Sequence, residues 1–240
     1  MKKVISNLLL AVCIVVFLFS GWKLVGYYLE YKKADDEYDK IAQEVVKTKG
    51  KERIIDFEKL RKINPDTIGW VYAKGTNIDY PVVLGKDNDY YLHTTFEGTK
   101  NSSGAVFMDS HGDKDFRAEH NIIIYGHHMR NGSMFADLME FREQSFIKKQ
   151  DTITLYTPSG KKDLKVVASY ARKADKLIPI TFGDRKDMKK YLEEILSMSD
   201  IQSRIPKKTV MKTKKLYTFV TCSYEQEDNR TFVHAIESKD

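Results

Sequence analysis

Eight short strand-like runs, separated by clusters of Gly, Asn and Asp, do most to limit what this 240-residue chain can fold into. Even spacing of short strands is typical of an all-β barrel. Pro81, inside the second run, indicates a sheet edge or a bulge, because proline cannot donate a ladder hydrogen bond. We therefore predict a mostly β fold, a closed eight-stranded barrel built from residues 68–73, 78–83, 105–109, 121–125, 152–156, 164–170, 216–222 and 230–236.

Two segments between these runs have helical patterns. Residues 133–140 predict a short helix, and residues 184–198 predict the clearest helix of the barrel region, placed before the last two strands. Asp184 can cap this long helix, because its carboxylate can accept hydrogen bonds from the first free backbone N–H groups. Its apolar stripe predicts core packing, since these side chains share one helical face: Met188, Tyr191, Leu192 and Ile195.

The N-terminal segment predicts a transmembrane helix. Residues 4–22 carry no charge, and at 1.5 Å per residue a helix of this length spans most of a hydrocarbon core of about 30 Å. A cleaved signal peptide is the alternative, but no convincing A-x-A-like cleavage site follows. Lys2 and Lys3 favour a cytoplasmic N-terminus and an extracytoplasmic remainder.

Composition changes twice along the chain. We predict an N-terminal membrane anchor over residues 1–26, a charged juxtamembrane region of helices over residues 27–64, broken near Gly50, and a barrel domain over residues 65–240. The net charge of +6 is spread along the chain, and the absence of a dense Lys/Arg block argues against a nucleic-acid partner.

Cys222 is the most informative single residue. It closes the strand-like run of residues 216–222 and is the only thiol beyond the apolar segment, which holds Cys13. A solitary thiol outside an anchor cannot form an internal disulfide. Cys222 is therefore either incidental or a nucleophile.

A histidine and an arginine are placed to work with such a thiol. His127 follows the apolar run of residues 121–125, where side chains at a strand end project into the rim of a barrel, and Gly126 allows the backbone to turn sharply. If the last two strands pair as a hairpin, Arg230 lies beside Cys222. An arginine there can lower the pKa of the thiol and donate hydrogen bonds to a developing oxyanion.

The remaining histidines have simpler explanations. His128 should point to the other side of the strand from His127, and His234 lies within a strand, where packing or solvation is expected. The other three occupy polar loops and predict solvated side chains: His93, His111 and His120. A metal site of His127, His128 and Cys222 is a weak alternative, because adjacent histidines on a strand point apart, and we predict neither a metal nor a cofactor.

Three segments resemble sortases, the membrane-anchored cysteine transpeptidases of Gram-positive bacteria. Residues 218–222, Thr-Phe-Val-Thr-Cys, resemble the T-L-x-T-C signature with Phe219 in place of the usual Leu. Arg230 matches the arginine on the next strand, and Tyr-Gly-His at 125–127 matches the strand-end histidine of the family. The class B subgroup fits best, along residues 63–70, 75–81 and 96–98 and in its N-terminal helices and long late helix.

The resemblance implies an eight-stranded barrel and a transpeptidation. Cys222 would attack the carbonyl of a Thr in a sorting motif near the C-terminus of a surface protein, forming a thioacyl-enzyme. His127 would protonate the departing amine and then act as base for an incoming amine, typically from a peptidoglycan precursor. Arg230 would orient the peptide and stabilise the oxyanion.

The resemblance also implies a groove for the sorting peptide. Asn88 and Leu92 match groove positions, and Tyr125 lies just before His127. The loop through Leu177 and Ile178 would form a wall, and Val220 and Thr221 would lie beside the thiol. Val220 stands where some class B members carry a small polar residue.

Two other functions are compatible with the residues. A cysteine endopeptidase that releases its product to water needs the same thiolate. A non-enzymatic envelope binding module with an incidental thiol needs none of this chemistry and predicts a buried, unreactive Cys222.

Overall fold

The computed structural model describes residues 2–50, 52–117, 120–222 and 228–238, with the side chains of Lys2 and Cys222 outside the description. The chain begins with α1 (Lys2–Val45). A hairpin of β1 (Val46–Lys49) and β2 (Glu52–Ile55) follows, and then α2 (Phe57–Ile63).

Eight strands close into a barrel, which confirms the predicted fold class and all eight predicted strands. Around the barrel the order is β10-β8-β7-β3-β4-β5-β6-β9, with β9 closing onto β10. The strands are β3 (Thr67–Tyr72), β4 (Asp79–Val83), β5 (Val106–Met108), β6 (Asn121–Tyr125), β7 (Thr152–Thr157), β8 (Gly160–Lys173), β9 (Leu216–Cys222) and β10 (Asn229–Glu237).

One long helix and several short ones lie in the connections between strands. α4 (Arg185–Met198) confirms the long helix, and the Asp184 side chain accepts hydrogen bonds from the backbone N–H groups of Lys186 and Asp187. The helix predicted over residues 133–140 is wrong in type and start, since a 3-10 helix runs from Ala136 to Arg142 without a side-chain cap. The other short helices are a 3-10 turn (Tyr90–Leu92), α3 (Gln144–Ile147) and α5 (Lys207–Val210).

Pro81 lies in an interior strand, so the edge prediction is wrong. β4 pairs with β3 on one side and, in parallel, with β5 on the other. The pairing with β5 begins at Val82, directly after the proline, so the missing Pro81 N–H leaves no gap in that ladder. The bulge in this region falls on β3, between Thr67 and Gly69.

The N-terminal region differs from the prediction in two ways. α1 is one uninterrupted helix of 44 residues, so the predicted boundary at 26/27 falls inside it. The interruption near Gly50 is a β-hairpin, which helical periodicity did not predict; Gly50 has a φ of +65°, a backbone conformation that glycine adopts without strain. In the part of the chain that the structure describes, α1 is the one helix long and apolar enough to cross a membrane, and its large apolar side chains up to Leu29 are exposed.

Alternate residues of β9 face two separate apolar clusters. Tyr217 and Phe219 of β9 pack into the barrel interior. Leu216 and Val220, one position away, pack on the outer face of the barrel, where α4 covers them. This alternation follows from the two-residue period of a strand, and it assigns the positions of β9 to the inner or the outer face.

His234 lies within the outer cluster and is fully buried, as packing predicted. The Thr218 hydroxyl donates to Asn121 Oδ1 at 2.7 Å, so it accepts from His234 Nδ1 at 2.9 Å. Nδ1 therefore carries the hydrogen, and Nε2 accepts from the Tyr170 hydroxyl at 3.0 Å. This buried polar chain joins β8, β10, β9 and β6, and it is satisfied only while the imidazole is neutral.

We expect His234 to make the fold sensitive to acid. Burial, helped by the charge of Arg172, lowers the pKa of His234 to about 3, whereas the unfolded chain binds a proton near 6.5. The free energy of unfolding should therefore fall as pH drops below 6.5, by up to about 1.4 kcal/mol per pH unit. Urea unfolding of the full chain in detergent micelles at pH 7.5 and 5 should show a shallower slope for His234→Gln, while exposed His93→Gln keeps the parental slope. Equal slopes for the parent and His234→Gln would contradict this assignment.

Candidate active site

Cys222 is the last residue of β9, and β9 lies between β6 and β10. β10 runs antiparallel to β9 and places Arg230 directly opposite Cys222. Directly opposed residues in such a pair have Cα atoms about 5 Å apart. The predicted hairpin of the last two strands is confirmed, and the backbones of Cys222 and Arg230 are neighbours at one rim of the barrel.

His127 reaches the same rim from the other side of β9. β6 runs parallel to β9, with Tyr125 opposite Val220, and the Gly126 N–H donates to the Val220 carbonyl at 3.1 Å. Continuing this register by two residues brings His127 level with Cys222. Cys222 and Arg230 therefore lie on adjacent strands, and His127 lies two residues beyond the end of the third strand, β6.

Cys222 and Arg230 also share one face of the sheet. Phe232, two residues after Arg230, packs in the outer cluster, as does Val220, two residues before Cys222. Strand alternation thus assigns Cys222 and Arg230 to the outer face. His127 lies two residues after Tyr125, which contacts both clusters. The Cys222 thiol itself lies outside the described atoms.

The His127 ring is held by a backbone carbonyl. Nε2 lies 2.8 Å from the carbonyl oxygen of Leu92. A carbonyl oxygen only accepts, so Nε2 carries the hydrogen, and Nδ1 is the nitrogen left to exchange a proton. Burial lowers the pKa of His127, the hydrogen bond to Leu92 opposes this, and the charge of His93 adds to the lowering. The free ring is therefore neutral at pH 7.

The backbone at His127 is fixed by close packing against Phe135. The Phe135 N–H donates to the His127 carbonyl at 2.8 Å. A Cβ at Gly126 would lie 2.7 Å from the Phe135 ring, which real Cβ contacts do not reach. This contact is a further reason for the glycine beside the predicted turn. The glycine is needed because the ring of Phe135 lies against the backbone.

Asp109, which the sequence analysis did not single out, is a buried carboxylate that binds the side chains of Tyr125 and Asn88. Asp109 is 7% exposed and accepts from the Tyr125 hydroxyl at 3.1 Å and from Asn88 Nδ2 at 3.0 Å. The Asn88 carbonyl oxygen in turn accepts from the Ser110 N–H at 2.7 Å. Burial and the Asp109 charge raise the pKa of Tyr125 far above its ordinary value. The only available signal was an acid directly after a strand, which is too common to be informative.

Arg230 is exposed, and a second arginine faces it. Arg172 on β8 is the direct partner of Arg230 in the β8–β10 pair, and its guanidinium lies 5.0 Å from the centre of the Phe232 ring. The opposed arginines bring two positive charges to this part of the rim, where the Asp175 carboxylate lies 3.9 Å from Arg172. A depression of about 430 Å³ lies beside Arg230, lined by Lys173, Ala174, Asp175, Asp228 and Asn229.

The other predicted groove residues are placed differently from one another. Ile178 is half-buried against the outer cluster, whereas Leu177 is 98% exposed and contacts solvent. The side chains of Val220 and Thr221 are buried, with Thr221 on the inner-face positions of β9. Leu92 contributes its carbonyl to His127, a role that sequence reasoning about side chains did not reveal.

The histidines outside the rim behave as expected. His93, His111 and His120 are exposed. Among the described residues, no three His, Cys, Asp or Glu side chains are grouped so as to hold a metal ion. Residues 223–227, which include the acidic residues Glu225 and Glu227, lie outside the described residues.

Comparison with known proteins agrees with this architecture. The model of the Sortase domain matches residues 71–238. The chain belongs to the sortase family, whose members are cysteine transpeptidases.

Within this family, the matches are sortase B proteins. The chain is 33% identical over 237 residues to Sortase B of Staphylococcus aureus, covering 96% of this chain and 94% of that protein. The X-ray structure of Clostridium perfringens sortase B superposes with a TM-score of 0.71 at 35% identity, covering 77% of this chain and 100% of that one. A Staphylococcus aureus sortase B–substrate complex gives a TM-score of 0.74 at 31% identity, covering 88% and 99%.

We expect the His127 imidazole to titrate below its ordinary pKa of 6.5, because burial disfavours the charged ring. The neutral ring should be mainly the Nε2–H tautomer. Two-bond 1H–15N NMR spectra of the full chain in detergent micelles, with ¹⁵N-histidine, measure both quantities, and the spectrum of His127→Gln assigns the signal. A midpoint above 6.5, or a mainly Nδ1–H ring, would contradict the role assigned to the Leu92 carbonyl.

Proposed function

We propose that this protein is a membrane-anchored transpeptidase that cleaves a sorting motif of surface proteins after Thr and joins the new acyl end to an amine of peptidoglycan. The observation that carries the proposal is the strand register, which sets Arg230 opposite Cys222 and sets Tyr125, two residues before His127, opposite Val220. Family membership supports the reaction class.

The first half of the proposed reaction transfers an acyl group to Cys222. The thiol gives its proton to Nδ1 of His127, and the sulfur attacks the threonyl carbonyl carbon, forming a C–S bond. The tetrahedral intermediate collapses with cleavage of the C–N bond, and His127 gives the proton to the departing amine. The second half reverses these steps with a new amine, so one acyl bond is exchanged for another.

The fixed tautomer of His127 suits these proton transfers. Because Nε2–H stays bonded to the Leu92 carbonyl, Nδ1 alone accepts and donates the proton, and the ring need not rotate between steps. The lowered pKa of His127 favours the neutral ring in the free enzyme.

Arg230 supplies the positive charge for the oxyanion. Its backbone lies directly opposite Cys222, within reach of a carbonyl bound at the sulfur. The guanidinium donates hydrogen bonds to the oxygen as negative charge develops there, which stabilises the transition state more than the bound peptide. Arg172, one strand further, adds to the positive potential that favours the thiolate.

The cluster of Asn88, Asp109 and Tyr125 forms one part of the peptide groove. Its hydrogen bonds fix the Tyr125 ring beside His127 before substrate arrives. Rigid polar groups of this kind orient a peptide at low entropic cost. Ile178 and the exposed Leu177 lie on the loop that would cover the peptide from the opposite side.

The structures of relatives support the two substrates. One solved sortase B is a substrate complex, and another is complexed with triglycine, a peptide with a free amine. By analogy, a sorting peptide is the acyl donor here, and a peptidoglycan amine is the acceptor.

The N-terminal half of α1 anchors the enzyme in the membrane. Its exposed apolar side chains suit contact with lipid, and Lys2 and Lys3 favour a cytoplasmic N-terminus with the barrel outside. The anchor (residues 1–26), the juxtamembrane region (residues 27–64) and the catalytic barrel (residues 65–240) remain our division of the chain by role.

We predict that Cys222→Ala lowers peptide cleavage by more than about 10³-fold, because the nucleophile is lost. Cleavage of a panel of Thr-containing sorting peptides by the full chain in detergent micelles measures this. Cys13→Ala is the matched control and should retain parental activity. Cleavage by Cys222→Ala at the parental rate would exclude thiol catalysis, and the absence of cleavage by the parent as well would favour a binding module.

The same assay separates transfer from plain hydrolysis. With triglycine added, the parent should convert the acyl product from the free acid to the triglycine amide, which mass spectrometry distinguishes. An unchanged yield of acid at saturating triglycine would instead indicate a cysteine endopeptidase.

We expect Arg230→Lys to lower kcat/KM by about 10–10²-fold, because lysine keeps the charge but loses the planar pair of donors. Arg172→Lys, on the adjacent strand and the same face, is the matched control and should change kcat/KM by less than about 3-fold, since Arg172 lies one strand further from Cys222 than Arg230 does. Peptide cleavage kinetics decide between these outcomes. A change of less than about 3-fold in Arg230→Lys, as in the control, would assign Arg230 a purely electrostatic role.

A further inference from the structure

The C-terminal half of α1 is docked on the barrel. Ala34, Tyr38, Ile41 and Val45 recur at helical spacing and are each less than 5% exposed. The exposed apolar segment before them and this buried segment belong to one helix without an interruption. The membrane-facing part of α1 is therefore joined rigidly to a part that packs on the catalytic domain.

The polar contacts of this docked segment converge on one loop, residues 93–104. Glu37 accepts from the Thr95 hydroxyl and from the Glu97 N–H, both at 2.9 Å. Nearer the membrane, Glu30 accepts from the Ser102 N–H at 2.8 Å. The two glutamates thus hold both ends of the loop.

Tyr38 makes the most central contact with this loop. Its hydroxyl donates to the Gly104 carbonyl at 2.7 Å and accepts from the Phe96 N–H at 3.2 Å. The side chain is 4% exposed, so no water replaces these bonds without local opening. Burial raises the pKa of Tyr38 well above its ordinary value, which keeps the hydroxyl hydrogen in place.

Gly104 connects this contact to the active site. It has a φ of +56°, and a Cβ there would lie 2.7 Å from the Leu92 carbonyl oxygen. This is the oxygen that accepts the hydrogen bond from His127 Nε2. The Ala105 N–H also donates to the neighbouring Tyr91 carbonyl at 2.9 Å. The backbone that Tyr38 holds is thus packed directly on the carbonyl that orients the imidazole.

We propose that the docked half of α1 is a positioning element of the active site, in which Tyr38, through Gly104, holds the Leu92 carbonyl against His127. The catalytic consequence of this proposal rests on the proposed role of His127, whereas the positioning of the imidazole by Tyr38 does not. Displacement of α1 from the barrel would release the 93–104 loop and loosen the imidazole. Full transpeptidation therefore requires the membrane helix to be seated on the catalytic domain.

The test compares two buried Tyr→Phe variants of the full chain in detergent micelles. Tyr38→Phe removes the bonds to Gly104 and Phe96. Tyr217→Phe removes the bond from a buried hydroxyl to Glu237 at the opposite end of β9, five residues from Cys222. Both lose the hydrogen bonding of a tyrosine hydroxyl, so both should be destabilised, Tyr38→Phe more because it loses two bonds, but only Tyr38 is connected to Leu92.

Histidine NMR and peptide kinetics give the two readouts. Tyr38→Phe should at least double the Nδ1–H share of neutral His127 and lower kcat by about 3–10-fold with a smaller change in KM. Tyr217→Phe should change neither. A Tyr38→Phe spectrum of His127 identical to the parent, with thermal unfolding lowered as in Tyr217→Phe, would overturn the proposal and leave α1 a purely stabilising element.

A milder variant covers the case in which Tyr38→Phe does not fold. Glu37→Gln keeps the size of the side chain and one acceptor while weakening the hold on Thr95 and Glu97, and it should shift the His127 tautomers in the same direction. The exposed neighbour Asp36→Asn is its control on the same helix. An unchanged spectrum in Glu37→Gln would count against the proposal. If the parent cleaves no peptide at all, the proposed function fails, while the tautomer measurement still decides the positioning role.

Discussion

The parallel pairing of β6 with β9 is the interaction on which the candidate site depends. Parallel strands point their carboxyl ends the same way, so the residues that follow β6 and the last residue of β9 arrive at one rim. β10 returns antiparallel and begins where β9 ends. A slip of β9 by one residue would turn Cys222 toward the barrel interior. Tyr217 and Phe219 oppose such a slip, because both aromatic rings would move from the core to the outer face.

Local pattern was sufficient for much of this architecture. Each barrel strand is a short run of β-branched and aromatic residues bounded by turn residues, and α4 has both a cap and an apolar stripe, so these elements could be predicted from neighbours in sequence. Cys222, His127 and Arg230 could be proposed because each stands at a strand end. Their meeting could be predicted only in part. The β9–β10 hairpin is local, whereas β6 and β9 are separated by about ninety residues, and no single-sequence pattern specifies that pairing; the resemblance to sortases supplied it.

What sequence reasoning missed has a common physical origin. The Leu92 carbonyl belongs to the backbone, and every residue type has one, so the sequence does not indicate its contact with His127. Asp109 gains its meaning from Tyr125 and Asn88, which are distant in sequence. Gly126 is required by the Phe135 ring, a contact made only in the folded chain. The continuity of α1 was also hidden, because its membrane and docked halves have different apolar faces, and a change of pattern resembles a break even where the backbone hydrogen bonds continue.

The choice of a carbonyl behind His127 has a chemical consequence within the proposed mechanism. A carboxylate at that position would carry a full charge and would stabilise the imidazolium strongly, raising the pKa of the ring. A carbonyl is only a dipole, so burial prevails and the pKa falls. An imidazolium of lower pKa is a stronger acid, and it gives its proton more readily to the poor amine leaving group. The accompanying cost is a smaller resting population of thiolate, which the arginines at the rim partly offset. Holding the imidazole with a neutral backbone group therefore favours leaving-group protonation over a pre-formed ion pair, and it makes the placement of that one carbonyl decisive for the reaction.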